Sequence, residues 1–280
     1  MKYLSGATGY TKLKNNSKEV ILFADIHDGV NYCKKSSDHI NISDYLNLNS
    51  EKNQIILEES INDPKLNLTD LWPNAFHTRN LKKLKEENLN IIPVDIRPYL
   101  IPFSWQLAKH NKLYKKLPIK KYLDCLFKFF NKDGDIYRKY IHSYIEYIND
   151  NNKKKILKIF NDIKDNFLVL YNKYNNETIE TILKVKKDED FFYKIEEINS
   201  LIMEYYIVLL ILSDTRNSII HTGLAHSTKL KEILKIFDYK IDEENGMTSI
   251  NNYTGSNRTN ACTINPDNNK YISNKKSIFI

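Results

Sequence analysis

The chain has 280 residues, 41% of them hydrophobic, which is enough to bury a core in one large domain or two small ones. Its net charge of +7 brings nucleic acid or an anionic membrane into question. The lysines are scattered, however, as Lys82-Lys83, Lys115-Lys116, Lys120-Lys121 and Lys153-Lys154-Lys155, with no arginine-rich stripe, zinc knuckle or RNA-binding aromatic signature, so they read as solvated helix faces and no specific nucleic-acid partner is expected.

In chain order, residues 1–17 are polar and read as a loose lead-in or short hairpin. Lys18 to Asp25 is predicted as the first strand, built on Val20-Ile21-Leu22-Phe23. Ser37-Asp38 and Ser43-Asp44 after it suit helix N-caps. A second strand is expected over residues 53–58, and a helix from Ala75 to Asn88 is expected with Leu81, Leu84 and Leu89 spaced for one buried face. Asn90 to Ile96 forms the third strand, closed by Arg97-Pro98. Strand–helix–strand–helix–strand order is the mark of right-handed parallel crossovers.

From Tyr99 to Ser213 the period is helical, broken at Pro118, at Lys132-Asp133-Gly134 and from Asn149 to Asn152. Asn217 to Thr222 is predicted as the fourth strand, followed by a helix over Ser227 to Phe237 capped by Ser227 or Thr228. Another strand starts at Tyr239-Lys240-Ile241, and a short edge hairpin is expected near Ala261 to Ile264. The fold class is therefore α/β, with a mostly parallel central sheet flanked by helices. A large helical insertion stands between the third and fourth strands. Residues 1–98 and 215–265 form the α/β core, 99–214 the insertion or cap, and 266–280 a mobile tail.

Cys33, Cys125 and Cys262 have no CxxC spacing and an odd count, which argues against a disulfide framework and fits a reducing compartment. The most apolar window, Ile198 to Leu212, is interrupted by Asn199 and Glu204 and is short for a bilayer. With no signal-peptide layout at the amino end, the expected location is cytoplasmic, or host cytoplasm or virion if the source is viral. The Asn, Lys, Ile and Tyr bias is the imprint of AT-rich coding, which fits some viruses, protists and bacteria.

Four strand-like runs end in polar groups. The first ends in Ala24-Asp25-Ile26-His27, the second in Glu58-Glu59, the third in Asp95 and Arg97, and the fourth in Gly223-Leu224-Ala225-His226. Groups just past the carboxyl ends of parallel strands gather along one edge, where ligands bind. His27, Glu58 and His226 would supply a two-His-one-carboxylate set for a divalent metal such as Mn, Co or Zn. Asp25 or Glu59 would orient an imidazole from behind, and Asp95 and Arg97 stand in the same supporting role. A metal-free form is equally sound. In it His27 activates water and Arg79 or Arg97 stabilises the oxyanion.

The bland readings are a surface histidine, a solvated Glu58-Glu59 exit, an Arg97–Asp95 pair and a packed His221. Position at four strand ends tips the balance toward a site. A Cys33–His27 nucleophile pair is the weakest option, since nothing local depresses the thiol.

The same residues resemble the erythromycin esterase/ChaN-like superfamily, which includes the Tiki and TraB proteins. Phe23-Ala24-Asp25-Ile26-His27-Asp28 is similar to its first motif and Ile56-Leu57-Glu58 to its second. His77-Thr78-Arg79-Asn80-Leu81 is similar to its arginine helix, and Thr222-Gly223-Leu224-Ala225-His226 to its last motif. The likeness covers residues 18–97 and 215–240, with Ala24 standing where the family has glycine.

It implies a hydrolase of an ester or amide bond, acting on a small-molecule or peptide substrate through His27, Glu58, Arg79 and His226, with or without a metal. The alternatives are a ChaN-like module holding haem, for which the tyrosines of 137–147 are candidate lining, and a catalytically inactive scaffold whose insertion binds a protein.

Overall fold

A computed structural model of the chain describes residues 1–26, 31–33, 38–61, 76–253 and 260–267. The strands are β1 (Tyr3–Ser5), β2 (Gly9–Lys14), β3 (Glu19–Asp25), β4 (Asn31–Tyr32) and β5 (His39–Asn41). Helix α1 (Ile42–Asn49), β6 (Gln54–Ser60), α2 (Phe76–Glu87) and β7 (Ile91–Asp95) follow. After a run of short helical turns come α3 (Asp150–Tyr174) and α4 (Asp190–Ser213), then β8 (Ser218–Gly223), α5 (Leu224–Ile236), β9 (Lys240–Gly246) and β10 (Asn260–Ile264). Two compact units result, one of Met1–Val94 with Thr215–Ile280, the other of Asp95–Asp214.

The first unit holds a six-stranded sheet in the order β7-β6-β8-β3-β2-β9. Strand β8 pairs in parallel with both β3 and β6. Every residue of β8 is buried, as expected for a strand covered on both faces. The other flank is antiparallel, β3 to β2 and β2 to β9, so the sheet is mixed.

Strand β2 of that flank comes from residues 1–17, expected to be a loose lead-in or a short hairpin, and its antiparallel pairing with β3 is a hairpin. Leu4, Tyr10 and Leu13 are instead fully buried. Gly9 permits the close approach of the chain after β9, since a Cβ there would lie 2.5 Å from the Met247 carbonyl oxygen. The two apolar residues of β2 and its glycine decide the pairing, and a polar average over 17 residues hides them.

Strand parity sorts the two faces. Ile21, Phe23, Ile55, Leu57 and Ile219 pack with Tyr45 and Leu46 of α1 and with Leu81 and Leu84 of α2, whereas Leu89, expected on the same face, lies past the end of α2 and is exposed. The opposite face meets α5, where Thr222 Oγ1 is 3.1 Å from Ser227 Oγ. The caps expected at Ser43-Asp44 and at Ser227 or Thr228 are not used, and Ser37 lies outside the described residues. Helix α1 begins after Asn41, and α5 begins directly after Gly223, with Ser227 and Thr228 inside its first turns.

A second, four-stranded sheet has the order β4-β10-β1-β5. Strand β10 runs antiparallel to β1 and parallel to β4, which brings Cys33 to Cys262. The two form a disulfide across 229 residues, leaving Cys125 as the free and exposed thiol. This corrects the expectation of reduced cysteines and removes Cys33 as a nucleophile. The pairing is set by tertiary strand contacts, to which sequence spacing gives no clue. Only Pro266 and Asp267 of the expected tail lie within the described residues. They are held by Lys12 and Tyr45, at 2.9 and 2.8 Å.

The second unit is helical. Asn149 caps α3 by accepting from the Asn152 N–H, and Ile156, Phe160, Ile163 and Phe167 form its buried stripe. Tyr137 packs edge-on to Phe129 and Phe160, while Tyr140 and Tyr144 meet Tyr206 of α4. These tyrosines, the candidate haem lining, thus form core contacts. Among the described residues no helix is long and apolar enough to cross a membrane.

Candidate functional site

At the carboxyl ends of the parallel strands, β6 and β8 bring two of the expected site residues together. Glu58 emerges near the end of β6 with its side chain 2% exposed. One carboxylate oxygen, Oε2, accepts the Gly223 N–H at 2.6 Å. The other, Oε1, lies 3.3 Å from His226 Nε2.

The local fold explains this convergence. Gly223 is both the last residue of β8 and the residue before α5, so His226 sits in the first helical turn. An oriented carboxylate there meets the positive end of the helix dipole as well as the imidazole. Gly223 has φ −57° and ψ 152°, a conformation open to any residue, so its turn-making freedom is not what the geometry uses. Its N–H is used instead. Sequence reasoning missed that role because a backbone donor has no residue signature.

The remaining expected residues divide clearly. His27 lies outside the described residues. Arg79 falls on α2, with its side chain outside the description. Asp25 is buried at the end of β3, in register with Gly223. By strand parity it shares the α1/α2 face with Glu59, whereas Glu58 belongs to the α5 face.

Glu59 accordingly acts toward α2. Its charge supports the Lys85 ammonium, which burial pushes below its ordinary value. His221 is also on that face, 98% buried by its 2% exposure and 3.3 Å from the Gly6 carbonyl oxygen.

Asp95 and Arg97 belong to the second unit. Arg97 Nε and Nη2 donate to the two Asp95 carboxylate oxygens at 2.8 and 2.9 Å, and the Arg97 backbone N–H adds a third bond at 3.2 Å. This is the fork-on-carboxylate pairing that arginine makes best.

A cavity of about 790 Å³ opens at the other end of the same strands, beside Asn53, Asn217, Tyr45 and Lys52. Its amides are committed to the fold. Asn53 Nδ2 donates to the Asn49 carbonyl and Asn217 Oδ1 accepts from the Glu19 N–H.

Among the described residues no group of three His, Cys, Asp or Glu side chains comes together as a metal cluster. The pair itself fits one edge of such a site. Two ligands each about 2 Å from a tetrahedral ion stand about 3.3 Å apart, the separation of Glu58 Oε1 and His226 Nε2.

The chain matches no protein-family model, no curated protein and no solved structure.

Proposed function

We propose that the chain is a hydrolase of an ester or amide bond, worked by the Glu58–His226 pair at the strand ends. The observation that carries this reading is the 3.3 Å approach of His226 Nε2 to a carboxylate whose other oxygen is already fixed by a backbone N–H. A carboxylate held on one side orients an imidazole on the other and stabilises its protonated form. His226 then takes the proton of an attacking water and returns it to the leaving group. Arg79, on α2, is assigned to the developing oxyanion by the motif likeness.

The same pair suits a divalent cation. Glu58 and His226 would hold it, with His27 as the third ligand that the likeness implies. Such an ion supplies Lewis acidity and a bound water of lowered pKa. In both forms the substrate is a small molecule or a peptide. The parallel β6–β8–β3 centre supplies the strand ends.

The Cys33–Cys262 disulfide favours a working location where thiols stay oxidised, such as an oxidising compartment or a virion, over the reducing cytoplasm. The test is a panel of chromogenic esters and amides assayed with the wild type and His226→Ala. Turnover lost in the variant supports the proposal, and full turnover retained by it removes the pair from catalysis.

A further inference from the structure

The cavity at the amino ends of β6 and β8 lies within the first unit, and its volume of about 790 Å³ is in the range that takes a small organic ligand. Asn49, Asn53 and Asn217 line it. The fold holds each of these amides by one end. Asn49 Nδ2 donates to the Tyr45 carbonyl at 2.9 Å and Asn53 Nδ2 to the Asn49 carbonyl at 3.1 Å, while Asn217 Oδ1 accepts from the Glu19 N–H at 2.9 Å. The opposite ends, Asn49 Oδ1, Asn53 Oδ1 and Asn217 Nδ2, make no hydrogen bond among the described residues.

The backbone fixes the same residues. Asn53 N donates to the Asn49 carbonyl at 3.1 Å, and Gln54 N to the Asn217 carbonyl at 2.8 Å. The spare acceptors and the spare donor are thus positioned before a ligand arrives, which lowers the ordering cost of binding. A hydroxyl group both donates and accepts, so a polyhydroxylated ring can satisfy amide oxygens and an amide nitrogen together. Leu48, 70% exposed on α1, and the partly buried Ile40 add aliphatic surface for the C–H side of such a ring. Lys52 and Asp267 give the lining one charge of each sign, and Asp267 already accepts from Tyr45 at 2.8 Å. With no arginine fork and no surplus of cations, the walls do not form a cradle for an anion.

We propose that this cavity binds a neutral saccharide. Asn49 and Asn53 accept from its hydroxyl groups, and Asn217 donates to one of them. The site stands at the opposite end of the strands from Glu58 and His226, so it does not depend on the hydrolase reading.

The experiment is saturation-transfer NMR of the full chain with glucose, mannose, galactose, N-acetylglucosamine, maltose and cellobiose. Saturable binding of at least one of these sugars is the expected result. Asn217→Asp keeps the oxygen that the Glu19 N–H needs and removes the spare donor, so Tm should hold while affinity falls about tenfold. Leu48→Trp crowds the cavity without touching a hydrogen bond and should also weaken binding severalfold. His226→Ala should bind the sugar as the wild type does. Saturable binding by none of the sugars overturns the proposal, and so does full affinity in both Asn217→Asp and Leu48→Trp. Binding lost in His226→Ala, or inorganic phosphate bound more tightly than any of the sugars, would overturn it as well.

Discussion

Glu58 Oε1 lies 3.3 Å from His226 Nε2 although the residues are 168 positions apart, one at the end of a strand and the other in the first turn of a helix. The contact depends on parallel pairing of β6 with β8, which carries Glu58 past Leu57↔His221 to the start of α5. It also depends on Gly223, whose N–H holds the second carboxylate oxygen.

Glu58 is consequently structural as well as chemical. Glu58→Ala leaves the Gly223 N–H without its acceptor and should cost about 1–3 kcal/mol. Glu58→Gln keeps a carbonyl oxygen for that donor and should cost less. Urea unfolding of both variants checks the order, and equal losses would contradict it.

Binding of a divalent ion would show as stabilisation. Adding Zn, Mn or Co should raise Tm in the wild type and have a smaller effect in His226→Ala, because only the folded chain presents both ligands together. Unchanged stability with all three ions, together with a metal-free preparation by elemental analysis, would leave the metal-free form.

The Cys33–Cys262 disulfide closes a sequence separation of 229 residues. Reduction should lower stability by about 2–5 kcal/mol, chiefly by releasing the unfolded chain. Dithiothreitol added during a thermal melt reads this directly. Alkylation of both cysteines without prior reduction would show that the bond is absent.

The β2–β9 edge should weaken in acid. Tyr10 donates to Glu243, and Lys12 lies 3.0 Å from the same carboxylate. Tyr10 first and then Lys12 depress the Glu243 pKa from its ordinary 4.5, against the opposing effect of burial. A depressed folded pKa gives stability that is present above 4.5 and lost as pH falls through the folded value. Glu243→Gln should flatten the urea midpoint against pH in that acid range, and an unchanged slope would contradict the pairing.

In the second unit, Arg97→Met would strand the buried Asp95 carboxylate and should cost about 3 kcal/mol. Pairing the change with Asp95→Asn should recover part of the loss. Additive losses would mean that the two groups are not coupled.

The sequence made the central strands legible because β3 and β6 carry the apolar runs Val20–Ala24 and Ile55–Leu57, and β8 carries Ile219-Ile220, each ending in charged or small residues. It also marked Glu58 and His226 by their place at those ends. Strand β2 was legible only as one of two alternatives, a short hairpin, because Tyr10, Leu13 and Gly9 act through partners in β3 and β9 and not through a strong local pattern. The disulfide was hidden, since β4 and β10 meet only in the folded chain. Supporting roles suffered from strand parity. Asp25 and Glu59 adjoin expected site residues in sequence yet belong to the other face of the sheet. Arg97 was legible as a partner of Asp95 from their spacing alone, and the fork geometry bears that out.

The most direct test of the central proposal is a double-mutant cycle on kcat/KM with Glu58→Gln, His226→Ala and the two combined, on whichever ester or amide the wild type turns over. Groups that work as one unit give losses that do not add. The expected result is a fall of about a hundredfold or more for each single variant, with the double variant no slower than the worse of them. Independent, additive losses, or a His226→Ala enzyme at the wild-type rate, would contradict the pair as the catalytic centre.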